Sequence, residues 1–176
     1  MTKNIGFVAL FLMTTIASSV LLAEVALPVV ASYEGRIRAM SFDRNFRKVT
    51  GPTEMIIKTQ ADYEAFVAKI PKRTITKTNP APPSKDPLLK KPPIDFSKHI
   101  MLVAIRSDSM YVSPQLESVV AGKDTLLVHI LDPDLGETRF LNQMQGIGTY
   151  QAVVVPKRKG PIQFLRKKGK PAPRRK

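Results

Sequence analysis

Seven of the chain's fifteen prolines fall between Pro71 and Pro93, and this cluster divides the sequence in two. Proline has no backbone N–H and a fixed φ, so such a segment can form neither a helix nor a central strand. Lys, Thr and Asn fill much of the space between the prolines and offer little apolar surface to bury. We therefore predict that residues 72–92 are a disordered or extended insertion that cannot pack and that joins two parts of one domain.

Before this insertion the sequence predicts two short strands and one amphipathic helix. Partial alternation indicates a strand within 33–49, and a second short strand is expected at 55–58. Thr59 is placed to cap a helix whose first turn contains Asp62. Pro71 should end that helix. Its apolar stripe comprises Tyr63, Phe66, Val67 and Ile70.

After the insertion the sequence is rich in strand signals. Residues 100–105 form a continuous apolar run, which is typical of a strand buried on both faces. Short turns connect the later strands, and such connections favour antiparallel pairing. We predict an α+β fold, with an antiparallel sheet of about five strands and one packed helix. The further strands are expected at 111–120, 125–131, 150–155 and, along an edge, 162–165.

The N-terminus carries a long uncharged segment, residues 5–22, that follows Lys3. A basic start, an apolar run and small residues around Val30–Ser32 are typical of a secretory signal peptide covering residues 1–31. A run of about 18 apolar residues also reaches the lower limit for a membrane anchor, which is the alternative. In either case residues 32–176 are expected outside the inner membrane, in the periplasm or the extracellular space.

The formal charge of +14 lies mainly at the C-terminus. Residues 157–176 contain ten basic side chains and no acidic one, whereas residues 99–156 carry a net charge of −3. We predict a folded domain at 32–165 and a disordered basic tail at 166–176 that contacts anionic lipid or envelope polymer. Export and the lack of interleaved aromatic residues disfavour nucleic acid. The candidate surface-binding residues are Arg166, Lys167, Lys168, Lys170, Arg174, Arg175 and Lys176.

The chemistry available to the chain is limited, because it has no cysteine and two histidines. These counts exclude a disulfide scaffold and a thiolate metal site, and we expect no metal, no cofactor and no catalysis. Asp95, Ser97 and His99 crowd together and define a hydrolase alternative, although no Gly-x-Ser-x-Gly motif is present. A turn capped by Asp95 or Ser97 is the favoured interpretation, and His129 is expected to be a structural residue within a strand.

A protein-binding loop is predicted between the later strands. Gly146 and Gly148 would give its backbone freedom, while Tyr111, Phe140 and Tyr150 would act as aromatic anchors. The alternative is that Phe140 and Tyr150 belong to the core.

Several strand entries together resemble a known family. Asp95-Phe96-Ser97 precedes the first long strand, Tyr111 opens the next, and Thr149 to Lys157 forms a later one. With the upstream helix, this order resembles the C-terminal domain of the PrcB-type protease-complex subunits of bacteria, over about residues 54–165. Ser109-Met110-Tyr111 stands where that family has Gly-Gly-Tyr, and Gly148-Thr149-Tyr150 stands where it has a proline before the tyrosine.

The resemblance implies an exported, non-enzymatic domain that stabilises or assembles a partner protease. Our leading hypothesis is therefore an exported protein-interaction domain, with a stabilising subunit of an envelope protease complex as its specific form. Two alternatives stay open: a periplasmic hydrolase that uses Ser97, His99 and Asp95, and an envelope protein that binds polyanions through its tail.

Overall fold

A computed structural model describes residues 25–42, 48–50, 53–74, 80–107, 109, 111–134 and 146–169. The predicted signal or anchor at 5–22, Phe140 and the tail from Lys170 onward lie outside the described residues. The elements are β1 (Val25–Ala26), β2 (Ala31–Arg38), β3 (Met40–Phe42), β4 (Lys48–Thr50), β5 (Glu54–Ile57), α1 (Gln60–Val67), a 3-10 helix (Pro87–Lys90), β6 (His99–Arg106), β7 (Gln115–Ala121), β8 (Leu126–Asp132), β9 (Ile147–Pro156) and β10 (Ile162–Lys168).

The strands form two four-stranded sheets and one small pair. The central sheet has the order β2-β9-β6-β5, the outer sheet has the order β1-β7-β8-β10, and β3 pairs with β4. The α+β class is confirmed, whereas the prediction of one sheet of about five strands differs from this arrangement. Purely antiparallel pairing was also wrong, because β10 runs parallel to β8. Hairpin turns in the sequence indicate only neighbouring pairs, and β8 and β10 are not consecutive.

β6 shows how the layers stack. Its side chains are buried on both faces, as the apolar run at 100–105 predicts. Met101, Val103 and Ile105 face the side covered by α1 and the 3-10 helix. Ile100, Leu102 and Ala104 face the outer sheet. The central sheet is therefore the middle of three layers, with one hydrophobic core on each side.

α1 begins where its capping residue predicts. The Thr59 side chain accepts a hydrogen bond from the Asp62 N–H at 3.1 Å, which satisfies one donor of the first turn. Tyr63, Phe66 and Val67 are buried against the central sheet. The helix ends at Val67, and the chain reaches the buried Ile70 through turns, so the helix is shorter than predicted.

The proline-rich insertion packs, which corrects our expectation. Its described parts are 72–74 and 80–92, and they include the 3-10 helix. Leu88 in that helix is fully buried in the core that lies between the central sheet and α1. Hydrogen bonds from Ser84 N–H to the Lys72 carbonyl and from Thr74 N–H to the Pro82 carbonyl, both 2.9 Å, close the segment on itself. Proline excludes regular strands here, but the segment still docks on the core through the buried Leu88.

Both ends of the packed region extend beyond the predicted limits of 32 and 165. Val25 and Ala26 pair with β7, and Leu27 is buried between the sheets, with its N–H bonded to the Val119 carbonyl at 2.8 Å. At the other end β10 continues to Lys168. The segment assigned to the signal peptide and the segment assigned to the tail therefore each contain residues of the fold.

Candidate functional site

The Asp95 segment forms a turn at the entry to β6. The Asp95 carboxylate accepts hydrogen bonds from the Ser97 N–H, at 3.0 Å, and from the Ser97 hydroxyl. The hydroxyl bond, followed by the N–H bond, lowers the pKa of this exposed carboxyl. The His99 N–H donates to the Asp95 carbonyl, and within the described chain no side-chain hydrogen bond joins His99 to Ser97. Ser97 therefore bonds Asp95 directly, as in the capped turn that the sequence favours. In the hydrolase alternative a histidine base would lie between the serine and the acid.

The two histidines lie in different sheets. His99 is the first residue of β6 in the central sheet, whereas His129 is half-buried in β8 of the outer sheet, opposite Ser118 and Leu165. In the described ranges no three His, Asp or Glu side chains cluster as a metal ion would require.

Tyr150 belongs to the core, so of our two interpretations the core one holds. Its side chain is fully buried and meets the Phe66 ring edge to face, with 5.2 Å between ring centroids. Its hydroxyl donates to the Asp86 carboxylate, at 2.8 and 3.0 Å from the two oxygens. Burial raises the pKa of both groups, and for Tyr150 the adjacent Asp86 charge raises it further. Tyr150 is therefore not available as an anchor for a partner.

Gly146 and Gly148 serve close packing in this structure. Gly146 has a φ of 65°, the left-handed region that favours glycine, and its carbonyl accepts a hydrogen bond from the Ala39 N–H. A Cβ at Gly148 would lie 2.2 Å from the Arg106 carbonyl oxygen. Both glycines are buried, which does not fit the flexible binding loop that we predicted at this point.

Tyr111, in contrast, is strongly exposed, with 70% of its surface accessible. Hydrogen bonds hold the backbone next to it. The buried Ser109 hydroxyl oxygen accepts hydrogen bonds from the Tyr111 N–H at 3.2 Å and the Val112 N–H at 2.9 Å. Thr149 of β9 donates to the Val112 carbonyl at 2.8 Å, and the Gln151 side chain accepts from the Leu116 N–H. The fold thus presents an aromatic side chain to solvent next to backbone groups that are hydrogen-bonded to Ser109 and to β9.

Two neighbours from β2 complete this surface. The Arg36 guanidinium lies 5.8 Å from the centre of the Tyr111 ring, within cation–π range. Glu34 lies on the same face of β2 and lines grooves of about 220 and 500 Å³ beside the tyrosine, and Arg36 lines the smaller one. We call this set the Tyr111 surface; it comprises Glu34, Arg36, Tyr111, Ser113 and Gln115. The sequence pointed to Tyr111 and missed Arg36, because strand alternation alone does not show which loop covers a strand.

Arg166 is a structural residue, which corrects its assignment to an anion-binding tail. Its guanidinium bonds the Glu54 carboxylate at 2.9 Å and both Asp132 carboxylate oxygens at 2.8 and 2.9 Å. A cavity of about 510 Å³ beside it is lined by charges of both signs. Lys167 and Lys168 are exposed, and the remaining tail candidates lie outside the described residues.

Comparison of the chain with known protein families, curated proteins and solved structures finds no match. The resemblance to PrcB-type subunits therefore stays a prediction. None of the helices in the described ranges is long and apolar enough to cross a membrane. A functional assignment thus depends on the geometry of the surfaces described above.

Proposed function

We propose that the chain is an exported, non-catalytic protein-interaction domain whose partner contacts the Tyr111 surface. The observation that carries the proposal is an exposed tyrosine at the start of residues 111–116, whose backbone makes four hydrogen bonds, with the Arg36 guanidinium 5.8 Å from the centre of its ring. Tyrosine and arginine are enriched among residues that dominate protein interfaces. Because these hydrogen bonds already restrain residues 111–116, the segment loses less conformational entropy on binding, and its contacts contribute more to affinity.

The non-catalytic part of the proposal is supported by the Asp95 turn. There the carboxylate is engaged by its own Ser97 and by Lys98, whose ammonium lies 3.4 Å away. Export is supported by Lys3 and the uncharged segment that follows it. The specific form, a stabilising subunit of an envelope protease complex, is supported by the sequence resemblance over about residues 54–165.

Site-specific photocrosslinking in the intact cell envelope tests the proposal. A benzoylphenylalanine at position 111 should give one discrete crosslinked protein, and the same probe at Lys167, an exposed position on β10, should not. Arg36→Ala should reduce the product at 111, because it removes the side chain that stacks on the ring. Identical products at both positions, or none at 111, would contradict the interaction function. A discrete partner that is not a protease would overturn only the protease-specific form.

A second role, retention at an anionic surface, is favoured by exposed cations at the two ends of β10. Lys157, Arg158 and Lys159 precede this strand, and Lys167 and Lys168 end it. Each such side chain near an anionic membrane contributes on the order of 1 kcal/mol, and salt screens the attraction.

A further inference from the structure

β2 forms an edge of the central sheet, and half of its backbone groups point away from β9. Just after the strand, the Ala39 N–H bonds the Gly146 carbonyl on the β9 side, whereas the Arg38 N–H bonds Lys69 on the opposite side. Successive N–H groups of a strand point to opposite edges. The N–H and C=O groups of Ser32, Glu34 and Arg36 therefore point outward. Within the described residues, none of these N–H groups has a backbone acceptor.

A groove of about 460 Å³ runs beside this free edge. Residues 34–36 of β2 form one wall, and Pro71, Arg73, Thr74 and residues 84–87 form the other. The second wall is held in place by the backbone hydrogen bonds that close the insertion and by the bond between Asp86 and Tyr150. The groove is thus open to an extended chain that lies alongside β2. The outward N–H and C=O groups of β2 are then available to pair with it.

The rim of the groove is basic. The exposed cations that line it, which we call the basic rim, are Arg73 and Lys85, and the half-buried Arg36 lines the β2 wall. Glu34 is the exposed acid on the β2 wall, while Asp86 is half-buried and engaged by Tyr150 and Leu88. A positive rim attracts carboxylates and repels a segment rich in lysine. A second copy of this chain would bring its own basic rim against this one.

We propose that the groove binds an extended, acidic segment of the partner protein as an added strand of the central sheet. The inference rests on the proposed function and names how the partner is held. Main-chain hydrogen bonds to Ser32, Glu34 and Arg36 supply the affinity, and the basic rim selects acidic side chains. Because Arg36 also stacks on Tyr111, the added strand would lie directly beside the Tyr111 surface.

A proline at position 34 tests the backbone pairing. Proline is tolerated on an edge strand where its missing N–H faces solvent, so Glu34→Pro removes one outward donor and leaves the β2–β9 bonds in place. Glu34→Ala is the matched control, because it removes the same side chain and keeps the N–H. The probe is a fluorescent peptide of alternating glutamate and valine, about eight residues long, with a lysine–valine peptide as its counterpart.

With the full chain, fluorescence anisotropy should show that Glu34→Pro weakens binding of the glutamate peptide by about tenfold. Glu34→Ala should bind it more tightly than Glu34→Pro, because the alanine variant keeps the outward N–H. Arg73→Glu together with Lys85→Glu should weaken it several-fold, and the lysine peptide should not bind. Slower amide exchange at Ser32, Glu34 and Arg36 when the peptide is added to the wild type gives the same answer if the proline variant misfolds.

Equal binding by the proline and alanine variants would overturn the inference, as would binding of the lysine peptide or unchanged exchange at the three amides. A dimer of the free chain in sedimentation would overturn it as well, because a second copy would then compete for the edge. If the position-111 crosslink persists in Glu34→Pro while the peptide results fail, the interaction function stands and only the added strand is wrong.

Discussion

The Tyr150 hydroxyl donates a hydrogen bond to the Asp86 carboxylate and thereby ties the insertion to the middle of the central sheet. Asp86 also accepts from the Leu88 N–H at 3.0 Å, so one side chain both caps the 3-10 helix and anchors it. The close approach requires Gly35 on β2, where a Cβ would lie 1.9 Å from an Asp86 oxygen. The docking of the insertion therefore uses a half-buried carboxylate as well as the buried Leu88.

The first prediction concerns that bond. Tyr150→Phe should lower the free energy of unfolding by about 1.5–3 kcal/mol, because it removes a hydrogen bond to a charged group that stays partly buried. Denaturant unfolding measures the change. Tyr63→Phe is the matched control, since the Tyr63 hydroxyl is buried and has no hydrogen-bond partner in the described part of the chain. That variant should be as stable as the wild type or more stable, and equal losses in the two variants would contradict the assigned role of Tyr150.

The second prediction is a pH dependence that originates at Asp86. Burial raises its pKa in the folded state above the unfolded value of 3.8, so the folded state holds the proton more tightly. The resulting stabilisation is complete below the unfolded pKa and is lost as the pH rises through the folded pKa. Stability of the wild type should therefore fall with rising pH in the mildly acidic range, relative to Asp86→Asn.

Thermal unfolding of the two proteins across that range checks the difference. Asp95 has the opposite shift, but it is present in both proteins and cancels in the comparison. Parallel curves for the wild type and Asp86→Asn would show that Asp86 titrates as it does in the unfolded chain.

The third prediction separates Arg166 from its lysine neighbour. Arg166→Ala should cost about 1–3 kcal/mol, because Glu54 and Asp132 are partly buried and would lose their common partner. Lys167→Ala, an exposed change one position away, should leave the unfolding midpoint unaltered. If the two variants are equally stable, the contacts of Arg166 do not hold the two sheets together.

The fourth prediction concerns the N-terminal boundary. Leu27 is 8% exposed between the sheets, so Leu27→Ala should lower stability by about 2 kcal/mol or more. Val29→Ala, at a position 51% exposed, should have little effect. Intact-mass measurement of the chain recovered from cells should then find a start at or before Val25, because removal of residues 25–31 would delete β1 and Leu27. A stable mature chain that starts at Ser32 would contradict this boundary.

The fifth prediction tests the tail as an element separate from the fold. Deleting residues 170–176 should reduce binding to phosphatidylglycerol vesicles several-fold at low salt, and the difference should shrink as salt is added. The deletion has to begin after Gly169, because a deletion from Arg166 would also remove the end of β10. Equal binding of both chains at every salt concentration would exclude retention through the tail.

Features decided by local chemistry could be predicted from the sequence. The burial of β6 on both faces follows from its apolar run, and the start of α1 follows from Thr59 and Asp62. Features that depend on residues far apart in the chain could not be predicted from the sequence. The parallel pairing of β10 with β8 and the bond between Asp86 and Tyr150 join residues far apart in the chain, and no periodicity marks them.

The candidate site divides in the same way. Tyr111 stands out as an aromatic residue before a strand. Arg36 becomes part of the site because the fold places β2 beside the loop that contains Tyr111. Tyr150 looks similar to Tyr111 in sequence. It is part of the core, and its hydroxyl donates a hydrogen bond to Asp86 of the insertion.

The pairing of β2 with β9 sets the order in which this chain can fold. Ala31 pairs with Val154 and Arg38 with Ile147, so β2 has no neighbour in the central sheet until nearly the whole polypeptide has been synthesised. Contacts between such distant segments make folding slow. A nascent chain would therefore carry β2 without its central-sheet partner through most of its synthesis.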